Sequence, residues 1–243
     1  MDGAVKRTWS ALRDLYPMGL SMLWKAPLVL GVVAIPEFAQ HVVEIQLGMF
    51  DGGAATSMAA NASLRWAFGY VKVAGLFLAI LAAARFWWTR RAGPTWYDPR
   101  DLAWKRLVVG ALLFLGVPLL PLLAKGQISD MAIQIISLVL TIPLLPALFL
   151  MVGGLFGDRS TTLREYWRRS WGWTFLVVAL MAIAFWPAAQ LHRWNHLWAM
   201  QASPALVWLL MIFDSVVVGL IAGLCGTALY LGYNAFARGS GAK

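Results

Sequence analysis

The sequence predicts an all-α, polytopic six-helix transmembrane bundle with two cytoplasmic interfacial amphipathic helices, forming one domain over residues 1–243. Three observations predict it. Six long apolar runs cross the chain, at residues 26–47, 66–88, 107–124, 131–156, 173–191 and 204–236. The basic residues crowd into alternate gaps between them, and no gap is long enough for a soluble domain. Each run is near or above the roughly 20 apolar residues that a hydrocarbon core of about 30 Å demands. A segment in lipid must close its own backbone hydrogen bonds, so the runs are read as helices.

The elements follow in order. Before the first run, Val5, Trp9, Leu12, Leu15 and Tyr16 recur at helical spacing while Lys6, Arg7, Arg13 and Asp14 take the other positions, the pattern of a helix lying in the interface. Pro17 is expected to end or bend it. Residues 51–57 are small and polar and read as a loop. After the second run, Gly93-Pro94 reads as a turn, and Asp98-Pro99-Arg100-Asp101 as the capped, proline-led start of a short helix entering the third run. Pro118 with Pro121, and Pro143 with Pro146, predict kinks in the third and fourth runs. Residues 125–130 are a tight turn. Thr162-Leu163-Arg164-Glu165 has capping-box spacing, with Tyr166, Trp167, Ser170 and Trp171 on one face and Arg164, Arg168 and Arg169 on another; this is the second interfacial helix. Residues 192–204 read as an aromatic-rich connection, and Gly219, Gly223 and Thr227 form a small-residue stripe suited to close helix contact.

Charge sets the expected orientation. Lys6, Arg7, Arg13 and Lys25 precede the first run; Arg85, Arg90, Arg91, Arg100, Lys105 and Arg106 surround the second connection; Arg159, Arg164, Arg168 and Arg169 occupy the fourth; Arg238 and Lys243 close the chain. Of the 20 basic residues only Arg65, Lys125 and Arg193 belong to the opposite connections, and Lys72 lies within a run. The positive-inside rule then makes both termini and the second and fourth connections of a multi-pass membrane protein cytoplasmic. The formal net charge of +9 does not point to nucleic acid, because the basic residues flank spans instead of forming one stripe. Membrane lipids, with anionic head groups on the cytoplasmic side, are the expected counterions, and a protein partner or homo-oligomer is a further expectation. The single cysteine, Cys225, lies inside the last run and can form no intramolecular disulfide. The first run is expected to serve as its own insertion signal.

The first run carries the candidate site. Glu37, Gln40, His41 and Glu44 follow i, i+3, i+4, i+7 and so share one helix face just after Pro36. Ionisable groups at membrane depth cost a few kcal/mol each unless paired or hydrated, so this face should point into the bundle or a water-filled cavity. Lys72 and Asp214 are the other interior candidates. At about 1.5 Å per residue, Lys72 lies roughly 10 Å and Asp214 and Glu37 roughly 15 Å from the outer ends of their runs, so all can meet in the outer half. The acids outnumber the nearby bases, which favours a protonated carboxylate or a bound cation. The competing reading is an interhelical network that only fixes packing. His192 and His196 stand four apart, as two metal ligands on a helical turn would, but with no helical setting and no third ligand they read as interfacial histidines, and no metal or cofactor is expected.

From Ile142-Pro143-Leu144-Leu145-Pro146 through Thr162-Leu163-Arg164-Glu165-Tyr166-Trp167-Arg168-Arg169-Ser170-Trp171 to Leu229-Tyr230-Leu231-Gly232-Tyr233, the chain resembles the six-helix bacterial inner-membrane proteins of the YciC type. It is similar, too, to the membrane domain attached to some glycerophosphodiester phosphodiesterases. The resemblance covers roughly residues 105 to 236 by pattern and implies the six-helix fold, with no catalytic residues to carry over.

Several chemistries lack their residues: there is no phosphate-binding glycine loop ending in Lys-Ser or Lys-Thr, no nucleophile elbow and no His-Glu-x-x-His. The sequence therefore predicts a non-enzymatic membrane protein that binds a lipid or a membrane partner through the polar cluster. The alternative is a small transporter or channel for a cation, a proton or a small polar solute. A membrane-embedded lipid-modifying enzyme comes third.

Overall fold

The computed structural model describes residues 3–92 and 95–240, with the side chains of 91, 92 and 240 left aside; the expected Gly93-Pro94 turn lies outside the described residues. The protein is all-α, with no strand among the described residues. The helices are α1 (Gly3–Lys25), α2 (Pro27–Gln46), α3 (Gly53–Asn61), α4 (Ser63–Ala92), α5 (Trp104–Ala111), α6 (Asp130–Leu144), α7 (Ala147–Leu155), α8 (Leu163–Arg169), α9 (Trp171–Ala199) and α10 (Pro204–Ser240). Five helical stretches are long and apolar enough to cross a membrane, and six if the bent pair α6 and α7 counts as one span. The stretch Trp104–Ala124 buries only 11% of its most apolar window inside the protein. Leu28, Ile35 and Leu123 are among the most exposed large apolar side chains of the described residues. Apolar surface on this scale suits lipid and not water, which is the pattern of a multi-pass membrane protein.

Prolines set the breaks, but not all of them. A helical proline lacks the N–H that would bond the carbonyl four residues back and crowds that carbonyl. In the third run the helix answers by widening to a π-turn over Leu112–Gly116 and tightening to a 3-10 helix over Val117–Ala124, around Pro118 and Pro121. In the fourth run Pro143 and Pro146 separate α6 from α7 with a bend of 60°. The helix does not end at Pro17: α1 continues to Lys25, and the chain turns at Ala26, where Pro27 opens α2 at a first-turn position that needs no N–H partner.

Two local expectations are corrected. The stretch read as a loop at 51–57 enters helix α3, which starts after Gly52 at φ 89°. Asp98 caps no helix: its Oδ1 accepts the Arg100 amide at 3.0 Å and the Arg100 Nε at 3.2 Å, a self-contained turn, and α5 begins only at Trp104. The capping box at α8 does form, with Thr162 Oγ1 accepting the Glu165 amide at 3.3 Å and Glu165 Oε2 accepting the Thr162 amide at 2.7 Å.

The chain groups into two compact units. One comprises Leu12–Trp87 and Leu180–Ala228. Its packing rests on small residues: Val33, Ala79, Val218 and Ala222 form one cluster, and a Cβ on Gly226 would strike the Ile80 carbonyl and the Ala84 amide. The small-residue stripe serves this unit, with Gly223 against Leu30 of α2 and Met22 of α1. Trp87 Nε1 donates to Thr227 Oγ1 at 2.9 Å.

The other unit holds the segment Trp88–Ala179 with the two chain ends. Helix α7 is buried along its whole length, and Gly110 and Gly154 let α5 and α7 touch backbone to backbone. Trp88 stacks on Phe156 at 4.6 Å, beside Tyr233. Asp158 ties this unit together: its carboxylate accepts the Ser160 and Thr161 amides at 2.8 and 3.1 Å, the Tyr166 hydroxyl at 2.6 Å and the Tyr233 hydroxyl at 3.2 Å. Burial opposes the charged form of Asp158, but hydrogen bonds from Thr161, Tyr166 and Ser160 outweigh it and hold the carboxyl well below the usual carboxylate range. Burial, then the bond to Asp158, pushes the Tyr166 phenol up. Arg106 donates to the carbonyls of Thr161 and Arg159, pinning the loop before α8.

Candidate functional site

The polar face of α2 turns inward. Glu37, Gln40, His41 and Glu44 are all buried, as helical spacing requires of residues on one face. Three further helices of the same unit meet them. Asp214 comes from α10 and is fully buried; Lys72 and Arg65 come from α4; His192, Asn195 and His196 come from α9.

His41 sits at the centre. Its Nδ1 lies 3.0 Å from Glu44 Oε2, and its Nε2 lies 3.1 Å from Asp214 Oδ2 and 3.2 Å from Glu37 Oε1. With carboxylates at both ring nitrogens, only the imidazolium can donate on both sides. Asp214 is in turn ringed by α9. Asn195 Nδ2 donates to Oδ1 at 2.8 Å, His192 Nδ1 lies 2.6 Å from Oδ2, and His196 Nε2 stands 3.5 Å from the same oxygen. Glu44 accepts from Arg65 Nε at 2.8 Å and from Gln40 Nε2 at 3.0 Å. Lys72 Nζ is 3.3 Å from both oxygens of Glu37, but its hydrogen-bond geometry satisfies Oε1 alone.

Glu37, Gln40, His41, Glu44, Lys72 and Asp214, the six residues that the sequence singles out, come together in the structure. It adds Arg65, assigned to an outer connection, and the α9 trio. The latter were obscured because the apolar run stops at Leu191 whereas the helix continues to Ala199. The available signal was the lack of any glycine or proline between Leu191 and Ala202, which leaves His192, Asn195 and His196 at i, i+3, i+4 on one continuing helix face. The expectation that His192 and His196 lack a helical setting and a third ligand is therefore corrected: both lie on α9 with the Asp214 carboxylate within reach.

Charge and hydrogen bonding both bear on what the cluster can hold. With Arg65 included, the fixed charges of Glu37, Glu44 and Asp214 exceed those of Arg65 and Lys72 by one. Buried Glu37 Oε2, Gln40 Oε1 and Asn195 Oδ1 have no hydrogen-bond donor, and the amide orientations are set because each amide nitrogen must face a carboxylate that only accepts. Three such oxygens are an excess of acceptors that suits a cation. One ligand atom each from Glu37, His41, His196 and Asp214 fit within 4.8 Å of one another. Four ligands at the usual zinc distances stand about 3.4 Å apart at the corners of a tetrahedron. The spacings of 3.1, 3.2 and 3.5 Å about His41, Glu37, Asp214 and His196 are already of that size.

No family model, no curated protein and no solved structure matches this chain.

Proposed function

We propose that this chain is a six-span inner-membrane protein, with both termini cytoplasmic, that binds a divalent transition-metal ion among Glu37, His41, His196 and Asp214 in exchange for a proton. The observation that carries the reading is the convergence of two imidazoles and two carboxylates, from α2, α9 and α10, whose ligand atoms all lie within 4.8 Å of one another, three of the pairs at 3.1, 3.2 and 3.5 Å. Mixed nitrogen and oxygen ligands suit zinc and its first-row neighbours over magnesium or calcium. For His41 to ligate through Nε2 it must give up the proton that faces Asp214 and Glu37, so metal uptake releases acid. The exchange changes the charge of the cluster by one unit only, which a buried site tolerates better than the arrival of a bare dication. Metal-for-proton exchange at membrane depth is the chemistry of a cation transporter.

Binding of a lipid head group or a protein partner through the same cluster is the second reading. It is supported by the rim: the side chains of Arg65, Lys72 and His192 keep 22%, 23% and 29% of their surface exposed. The carboxylates behind them are closed off, which favours a small ion over a head group.

The test is metal content and proton release on the purified full chain. Titration with Zn²⁺ or Mn²⁺ should load one ion per chain and acidify a weakly buffered solution, and both signals should vanish in Asp214→Asn and His196→Ala while the thermal melt of the ion-free protein persists. Wild-type protein that binds neither ion above the level of these variants would refute the reading.

A further inference from the structure

A second polar feature lies in the other unit, away from any role in metal binding. The start of α1, the end of α8, the first turn of α9 and the end of α10 border an open hollow of about 400 Å³ lined by Arg7, Arg169, Trp173, Phe236 and Gly239. The Arg7 guanidinium lies over the Trp173 ring, 5.1 Å from its centroid. Its Nε is buried with no hydrogen-bond partner. Neither Arg7 nor Arg169 forms an ion pair with a carboxylate among the described residues. The acid that neighbours Arg169, Glu165, is committed to the amide and hydroxyl of Thr162.

From this geometry we infer a binding site for a phosphate group, of the kind carried by an anionic phospholipid head group or by a free phosphate ion. Two guanidiniums facing one hollow repel each other unless an anion sits between them, and planar guanidinium forks match phosphate oxygens in pairs. Trp173 holds the Arg7 plane in place from below. Gly239 is part of the design. A Cβ there would stand 2.9 Å from Arg7 Nη2 and 3.3 Å from Cζ, so the absence of a side chain leaves the guanidinium room to take this position. All four chain segments belong to the side that the basic-residue distribution marks as cytoplasmic, where anionic lipids are held at the head-group level.

The test is native mass spectrometry of the detergent-solubilised full chain with phosphatidylglycerol, phosphatidylcholine or inorganic phosphate added at equal concentration. Phosphatidylglycerol should be retained over phosphatidylcholine. Arg7→Gln and Arg169→Gln should each weaken retention about tenfold, as loss of a charge-assisted hydrogen-bonding partner does. Gly239→Ala should weaken it as well, although it keeps every charge, whereas Arg13→Gln, which removes a charge from the exposed pair with Asp14, should not. Competition of millimolar inorganic phosphate with the lipid would identify the free ion as the ligand; lack of competition would identify the head group. Equal losses in Arg7→Gln and Arg13→Gln with none in Gly239→Ala would mean diffuse surface charge and would overturn the proposal, as would retention unaffected by any of the four changes.

Discussion

His192 Nδ1 stands 2.6 Å from Asp214 Oδ2, joining α9 to α10 through a carboxylate that also faces His41 and His196. A histidine that grips a ligating carboxylate fixes its orientation without touching the ion, and such outer partners typically govern 10–100-fold in metal affinity. His192→Ala is accordingly expected to weaken Zn²⁺ binding by about 10–100-fold while leaving the stoichiometry at saturation unchanged. His196→Ala, which removes a ligand, should lower the stoichiometry itself. Equilibrium dialysis of the two variants separates these outcomes, and equal behaviour would count against the assignment of roles.

The extent to which this site could be read from sequence follows from where its residues lie. Glu37, Gln40, His41 and Glu44 were legible because one helix's periodicity places them together, and Asp214 and Lys72 because a charge within an apolar run has few places to go. Arg65 was not legible as a member. Its position at the head of α4 looks like an ordinary flanking arginine, and only the fold brings its Nε to within 2.8 Å of Glu44. The helices themselves were read from length and hydropathy, signals local to each run. The errors fell at the end of α9, where polar residues continue an apolar helix, and at Pro17, Asp98 and residues 51–57, where the same residue type serves two backbones: proline is tolerated in α1, and an aspartate before proline closes a turn as readily as it caps a helix.

Asp158 should make the fold sensitive to acid. Its carboxyl is held below the usual range in the folded protein, so its contribution is fully present above the ordinary aspartate value of about 3.9 and is lost as pH falls from there toward the folded value. Asp158→Asn should cost about 1.5–3 kcal/mol at pH 7, the worth of hydrogen bonds to a charged acceptor. The gap between wild type and variant should narrow as the pH is taken from 5 to below 3. Thermal melts in detergent across that range check this; a gap independent of pH would show that the carboxylate charge does not matter.

Glycine spacing gives a packing test. At Gly226 an added Cβ would meet backbone atoms of Ile80 and Ala84, which cannot rotate away, whereas at Gly31 the nearest atom is the mobile end of Ile35 at 3.9 Å. Gly226→Ala is expected to destabilise the protein by about 1–3 kcal/mol, as overpacked positions do, and Gly31→Ala to leave the melt within error or raise it. The paired comparison in one detergent removes the effect of helix propensity, which is the same for both changes. Equal melts would mean that α4 and α10 can separate at no cost.

Orientation in the membrane decides which compartment supplies the ion. Ser57 and Thr95 are both exposed, and the single native thiol, Cys225, is buried, so cysteines placed at these two positions differ in access only through the membrane. The flanking charge argues for one arrangement: Arg65 is the only basic residue between the first two apolar runs, while Arg90, Arg91, Arg100, Lys105 and Arg106 crowd the next connection. In intact spheroplasts, Ser57→Cys should therefore react with an impermeant maleimide and Thr95→Cys should react only after permeabilisation. The opposite labelling would invert the protein. The proposed metal site, whose α2 and α10 residues lie nearer the Ser57 side by helix count, would then open toward the cytoplasm, and proton release on metal uptake would be expected there instead of outside.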